Sequence, residues 1–160
     1  MDKITLSRTK RLTISAMVIA LYVVVMLATE NFSFGAYQFR VATALYSLTY
    51  FFPFLVLPLG IANGLSNVMG GMPIDIIGGF AAGIVTAGLN ALIGKKNWHF
   101  ALTALPIALV PSLLVPIWLS FYTGVPYGVL FVSLVVGQSA AGVVGTVIVG
   151  VLKDKVKHMV

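Results

Sequence analysis

Apolar residues run through this chain in long unbroken blocks, not in the three-four rhythm of a half-buried soluble helix. The first block, residues 12–29, is long enough to cross a bilayer as one helix. Glu30 and Asn31 close it, and a loop, residues 32–38, follows. The next block, Arg40 to Gly70, is awkward. It holds Pro53 and Pro58 and exceeds one crossing, yet falls short of two at about 20 residues each. Broken near Pro53, it gives two short helices, 40–52 and 54–69. Three further helices are expected over 74–93, 98–122 and 127–152. Pro106, Pro111 and Pro116 should bend the fifth, because each removes a backbone hydrogen bond.

Charge decides how often the awkward block crosses. Nine of the ten Lys and Arg residues lie in the N-terminal segment, at Lys95 and Lys96, or in the C-terminal tail. Two crossings between 40 and 70 put all nine on one side, and the positive-inside rule makes that side the cytoplasm. One crossing would split them. The expected fold is therefore an all-α integral membrane protein. It is a single membrane domain, 1–160, of six transmembrane helices with both termini cytoplasmic, and helices 2 and 3 are short. Backbone that fails to span must be buried in protein or line a watery cavity. The short pair thus points to an outward-facing pocket.

Composition agrees. The chain is 59% hydrophobic and 9% charged, where a soluble domain carries about 25% charge. The +6 net charge follows the topology pattern and is no nucleic-acid signal. The basic N-terminus before an apolar run has a signal peptide as its alternative, but 16–28 offers no convincing cleavage site, so a retained first helix is expected. No cysteine is present, which excludes thiol chemistry and disulfides. The patterns HExxH, GxSxG and GxxxxGK[ST] are missing, and His99 and His158 fall at the cytoplasmic edge. No enzyme activity, metal site or cofactor is expected, and any ATP hydrolysis must come from partner subunits.

Arg40 is the one basic residue on the outer side. A guanidinium stays charged, so it must face water, a partner or a ligand. Around it, at or near the outer ends, fall Tyr37, Thr43, Asn67, Asp75 and Trp118. Asn63 sits one turn from Asn67 on the same helix face. Gln138 lies about 16 Å below the start of the last helix by helical rise. These eight are the candidate substrate-binding residues. Each has a plainer alternative: Asp75 at a helix start favoured by the dipole, the asparagines as interhelical glue, Arg40 snorkelling to headgroups or pairing with Glu30 or Asp75, and Trp118 in an interfacial belt. The inner half holds little that is polar beyond Ser15, Asn90 and Thr146, so a pocket open to one side fits better than a through-path. No internal repeat of the kind common in secondary carriers is visible. A stand-alone carrier or channel is the alternative reading.

Small residues recur at four-residue spacing: Ala16 and Ala20 in the first helix, Gly79 and Gly83 in the fourth, Ser133, Gly137, Ala141 and Gly145 in the sixth. Such stripes permit close helix approach. The last two suit packing within the chain, and the first suits docking of another subunit.

Six helices, the Ala16-Met17-Val18-Ile19-Ala20 segment and an outward polar pocket resemble the substrate-binding S component of an energy-coupling factor (ECF) vitamin transporter. The stretches FSFGAYQFRVATAL, NGLSNVMGG and PIDIIGG are similar to the QueT family of queuosine-precursor transporters. The likeness covers most of the chain. It implies a bacterial plasma-membrane subunit that captures a micronutrient and docks, through Ala16 and Ala20, on a transmembrane coupling subunit carrying two ATPases. ATP hydrolysis then topples the subunit to deliver its load. One departure stands out. The family usually reads Arg-Val-Ser-Glu-Ala-Leu where this chain has Arg40-Val41-Ala42-Thr43-Ala44-Leu45. A carboxylate there would suit a deazaguanine; without it, Arg40 beside amides and hydroxyls suits pantothenate. Both substrates stay open on the sequence.

Overall fold

The computed structural model describes residues 6–29, 40–68 and 72–157. Among these every element is helical. Helix α1 spans Arg8–Ala28 and starts on the Ser7 hydroxyl, which accepts from the Lys10 amide at 3.3 Å. A 3₁₀ helix covers Val41–Tyr50, and a single turn, Pro53–Leu55, leads into α2, Val56–Asn67. Helix α3 is Pro73–Lys95, α4 is Ala104–Thr123 after a 3₁₀ turn at Phe100–Thr103, and α5 is Tyr127–Lys157. Four stretches are long and apolar enough to cross a membrane: Arg8–Ala28, Pro73–Lys95, Phe100–Thr123 and Tyr127–Lys153.

The pattern of burial is inverted relative to a soluble protein. Large apolar side chains stand outward, as with Phe121 at 90% and Ile77 at 74% exposure, while Arg40, Asn63, Asn67, Asp75, Asn90 and Gln138 are inside. Only a hydrocarbon surround makes that arrangement favourable. The chain is a multi-pass membrane protein. Helix α1 buries only Val18, Tyr22 and Met26, one face at four-residue spacing, and leaves the rest outward.

The expected short helix at 40–52 is a 3₁₀ helix. Runs of this form beyond three or four residues are uncommon, so ten residues require a cause. Two are visible. A 3₁₀ helix rises about 2.0 Å per residue against about 1.5 Å in an α-helix. Ten residues therefore cover about 20 Å where an α-helix would cover about 15 Å, and a short segment reaches from one end of the bundle to the other. Its weaker hydrogen bonds are also screened, since Ala42, Thr43, Ala44, Tyr46, Ser47, Thr49 and Tyr50 are all buried by neighbouring helices. At its far end the Tyr50 carbonyl presses so close to Gly94 that no Cβ fits there. Phe52, which leaves the helical conformation before Pro53, then stops the helix.

The bundle has two distinct ends. At one, the Arg11 guanidinium lies 5.7 Å from the Phe54 ring centre, Lys96 4.8 Å from Trp98, and Lys153 5.4 Å from Phe100. The Tyr50 hydroxyl donates to the Trp98 carbonyl there at 2.9 Å. At the other stand Arg40, Asn67, Asp75 and Trp118. The glycine stripes are internal: a Cβ at Gly83 would meet Gly60 and the Tyr46 hydroxyl, and one at Gly145 would meet Ile107, Ala44 and Ser47. Pro111 and Pro116 lie inside α4, and Pro106 is in its first turn.

Candidate functional site

The three-residue period of the 3₁₀ helix eclipses side chains at i and i+3. Arg40, Thr43, Tyr46 and Thr49 therefore form one ridge, polar along its whole length. Arg40 and Thr43 stand at its Asp75 end and meet residues from four helices: Asn63 and Asn67 of α2, Asp75 of α3, Trp118 of α4 and Gln138 of α5. These seven line a single cavity, completed by Gly79, Ala82, Pro111, Val115 and Leu134.

Hydrogen bonds run from element to element. Arg40 Nη1 donates to Asn67 Oδ1 at 3.0 Å. The same asparagine donates through Nδ2 to the Asp75 carbonyl at 3.0 Å and reaches Asn63 Oδ1 at 3.4 Å. Asn63 donates in turn to the Gly79 carbonyl at 2.7 Å. The two asparagines, one turn apart, thus tie α2 to α3 and hold the guanidinium. Asp75 sits in the first turn of α3, where the helix dipole favours its charge. Its Oδ1 accepts from Trp118 Nε1 at 2.5 Å, which fixes the indole plane. Asp75 is only 6% exposed, so its carboxylate is held largely away from solvent.

Thr43 and Gln138 leave one group uncommitted. The Thr43 hydroxyl is 2.6 Å from the Arg40 carbonyl and 2.8 Å from Gln138 Oε1. One hydroxyl proton serves one acceptor. Whichever way the Gln138 amide is turned, one of its two polar atoms lacks a protein partner, and Nε2 is buried without one. A buried polar atom of this kind costs about 1–3 kcal/mol unless something else meets it.

Two glycines shape the site. Gly78 and Gly79 follow Asp75 at i+3 and i+4, so all three share a face of α3. A Cβ at Gly78 would strike the Trp118 ring, and one at Gly79 would strike the Asn67 amide. The sequence signalled Gly79 as packing and missed Gly78; a Gly-Gly pair one turn beyond an aspartate was the available sign. Tyr22 and Tyr46 were also missed. Both are fully buried, with hydroxyls 3.3 Å apart, and Tyr46 reaches toward Asn63 beside Gly83.

The free volume is small. About 10 Å³ remains among these side chains, the room of about one water. A molecule the size of a vitamin enters only if the lining moves apart. What the lining offers is one cation, one carboxylate, three amides, a hydroxyl and an indole, with apolar walls. That is chemistry for holding a flat or amide-rich polar solute. Among the described residues no three His, Cys, Asp or Glu side chains gather, and His99 lies at the lysine end.

Three expectations need comment. Tyr37, with Glu30, Asn31 and Gln38, lies outside the described residues. Ala16 and Ala20 are exposed on α1, away from the cavity. The expected bareness of the inner half is corrected. Ser47, Thr49, Thr86 and Asn90 are all buried toward the lysine end. The two threonines bond to backbone there: Thr49 lies 2.8 Å from the Ala87 carbonyl and Thr86 donates to the Ala82 carbonyl at 2.7 Å. Asn90 was expected there; Ser47, Thr49 and Thr86 were overlooked because hydroxyls in apolar runs give no periodic signal.

The family model described as QueT transporter matches residues 12–154, nearly the whole chain. No curated protein and no solved structure matches it.

Proposed function

Because this chain belongs to the QueT transporter family, we propose that it is the substrate-capturing S component of an ATP-driven micronutrient importer in a bacterial plasma membrane. The observation that carries the reading is the cavity at the Asp75 end. Seven polar or aromatic side chains from five elements converge there, while the hydroxyls nearer the lysine end are mostly turned onto backbone carbonyls. A site that loads from one face needs no polar passage to the other. In this reading the 3₁₀ helix and α2 are the second and third of six crossings. The lysine end and both termini are cytoplasmic, and the cavity faces outward.

ATP hydrolysis then belongs to two ATPases held by a transmembrane coupling subunit. The exposed Ala16 and Ala20 of α1 offer that subunit a close approach, and the whole chain tilts to deliver its load.

For the substrate, Asp75 changes the balance. The Thr43 departure removes one carboxylate from the family pattern, but Asp75 supplies another in the same cavity as Arg40, bonded to Trp118. A carboxylate suits the N–H edge of a deazaguanine, and an indole suits its flat ring. These features support a queuosine precursor. Pantothenate is the second reading, favoured by Arg40 and the amides of Asn63, Asn67 and Gln138.

Thermal unfolding in detergent discriminates. Deazaguanine precursors should raise the midpoint and pantothenate should not, since ligand binding to the native state alone stabilises it. The reverse result assigns pantothenate. No shift with any micronutrient sinks the capture role. Replacing Ala16 and Ala20 together by Trp should leave this shift intact and abolish uptake. Uptake by reconstituted chain alone, without ATP, would instead establish a stand-alone carrier.

A further inference from the structure

Two grooves lie at the lysine end, well away from the cavity. One, of about 550 Å³, is lined by Pro53, Val56, Ile84, Gly88, Leu92 and Lys95, among others. The other, of about 470 Å³, includes Leu92, Lys96, Trp98, Leu105 and Leu109. Leu89 and Leu92 line both. The grooves therefore lie side by side on α3, separated by the ridge of Leu89 and Leu92, and each ends at one of two adjacent lysines. Nothing protrudes into the first at Gly88, where a Cβ would meet no atom within 4 Å.

Their length is informative. From Ile84 to Lys95 is about 16 Å at helical rise, about half the 30 Å hydrocarbon thickness and so one leaflet. Apart from the lysines and the Trp98 indole, the lining side chains are apolar. The charged groups stand only at the mouths, where Lys96 is held over the Trp98 ring at 4.8 Å in the manner of an interfacial anchor. The acidic Asp75 is at the far end of the same helix.

We propose that these grooves form a binding site for one anionic diacyl phospholipid. The two acyl chains straddle the Leu89 and Leu92 ridge and lie in the two grooves, and the phosphate headgroup sits between Lys95 and Lys96. The Leu89 and Leu92 ridge divides the apolar surface into two narrow channels, which suits two slender chains better than one helix about 10 Å across. Two chains joined at one headgroup fit that division, and the adjacent ammonium groups meet the anionic charge at their junction. Basic pockets between membrane helices on the cytoplasmic side bind anionic headgroups by the same electrostatics.

The test uses the Trp98 fluorescence of the full chain carrying Trp118→Phe, in phosphatidylcholine vesicles. Brominated phosphatidylglycerol or brominated phosphatidylcholine is added as quencher. Phosphatidylglycerol should quench at about tenfold lower mole fraction or less, as expected for two lysines near one anionic headgroup. Lys95→Gln with Lys96→Gln should merge the two curves. Gly88→Phe fills the groove that Trp98 does not line, and it should also weaken the preference. Simple attraction to a basic surface would not respond to that change. Equal quenching by both lipids overturns the proposal, and so does a preference that survives the double Gln variant or is untouched by Gly88→Phe. Equal quenching together with failure of Gly88→Phe to assemble with a coupling subunit would assign the grooves to protein.

Discussion

The two ends of α3 present the same problem, polar groups inside a membrane bundle, and solve it in opposite ways. Near Asp75, side chains bond to one another as well as to backbone: Arg40 to Asn67, Asn67 to Asn63, Trp118 to Asp75, Thr43 to Gln138. Toward the lysines, hydroxyls turn onto backbone carbonyls, as with Thr49, Thr86 and Thr103, and the charges stay at the rim. A side chain bonded to a backbone carbonyl is spoken for. A side chain bonded to another side chain can exchange that partner for a solute. The difference fits the proposed function, in which the solute is taken up at the Asp75 end.

The sharpest way to break this contrast is at Arg40. Arg40→Ala should weaken solute binding by about 10- to 100-fold, the equivalent of charged hydrogen bonds worth about 1.5–3 kcal/mol, and abolish high-affinity uptake while the chain still inserts. Uptake at the wild-type rate for every candidate solute would remove Arg40 from the site. The glycines of α3 give a second comparison. Gly79→Ala drives a methyl into the Asn67 amide and should weaken binding by about tenfold, with about 1–3 kcal/mol lost from overpacking. Gly88→Ala, in open space, should leave binding alone and stabilise the helix by about 0.5–1 kcal/mol. Equal effects at both positions in a denaturation series would show that the Asp75 end is no more tightly fitted than the other. The smallest effect is expected at Asn90. Its amide nitrogen and oxygen are both buried without a protein partner. Asn90→Leu should leave solute affinity unchanged and raise stability by about 1 kcal/mol, because an unsatisfied amide is replaced by apolar volume. A drop in unfolding midpoint would show that this amide is satisfied in the folded protein.

The long helices were legible because a bilayer demands long apolar runs, and α1, α3, α4 and α5 supply them. The stretch between α1 and α3 was legible only in outline. Proline and charge parity implied two short segments, but nothing local in Val41–Tyr50 announces a 3₁₀ helix. That form is set by the distance to be covered and by neighbours such as Gly94, which are tertiary facts. The candidate residues were reachable by counting helical rise from the ends, although that count set Gln138 about 16 Å deep and Thr43 near the outer end, and only the fold brings the two to 2.8 Å. The support around them was not. Gly78 matters for the indole of Trp118, forty residues on, and Tyr46 for a partner in α1. A single chain of letters does not pair such positions.

The 3₁₀ helix has one further consequence. Its partners are spaced by threes: Thr43 meets α5, Tyr46 meets α1, and Thr49 meets α3. A helix of three residues per turn acts as a reading frame. Removing or inserting one residue between Arg40 and Tyr50 turns everything beyond it by about 120°, so every later contact is lost at once and none can be kept by local adjustment. Substitutions here can be graded in their effects, whereas a change in length cannot. This stretch should therefore hold its residue count.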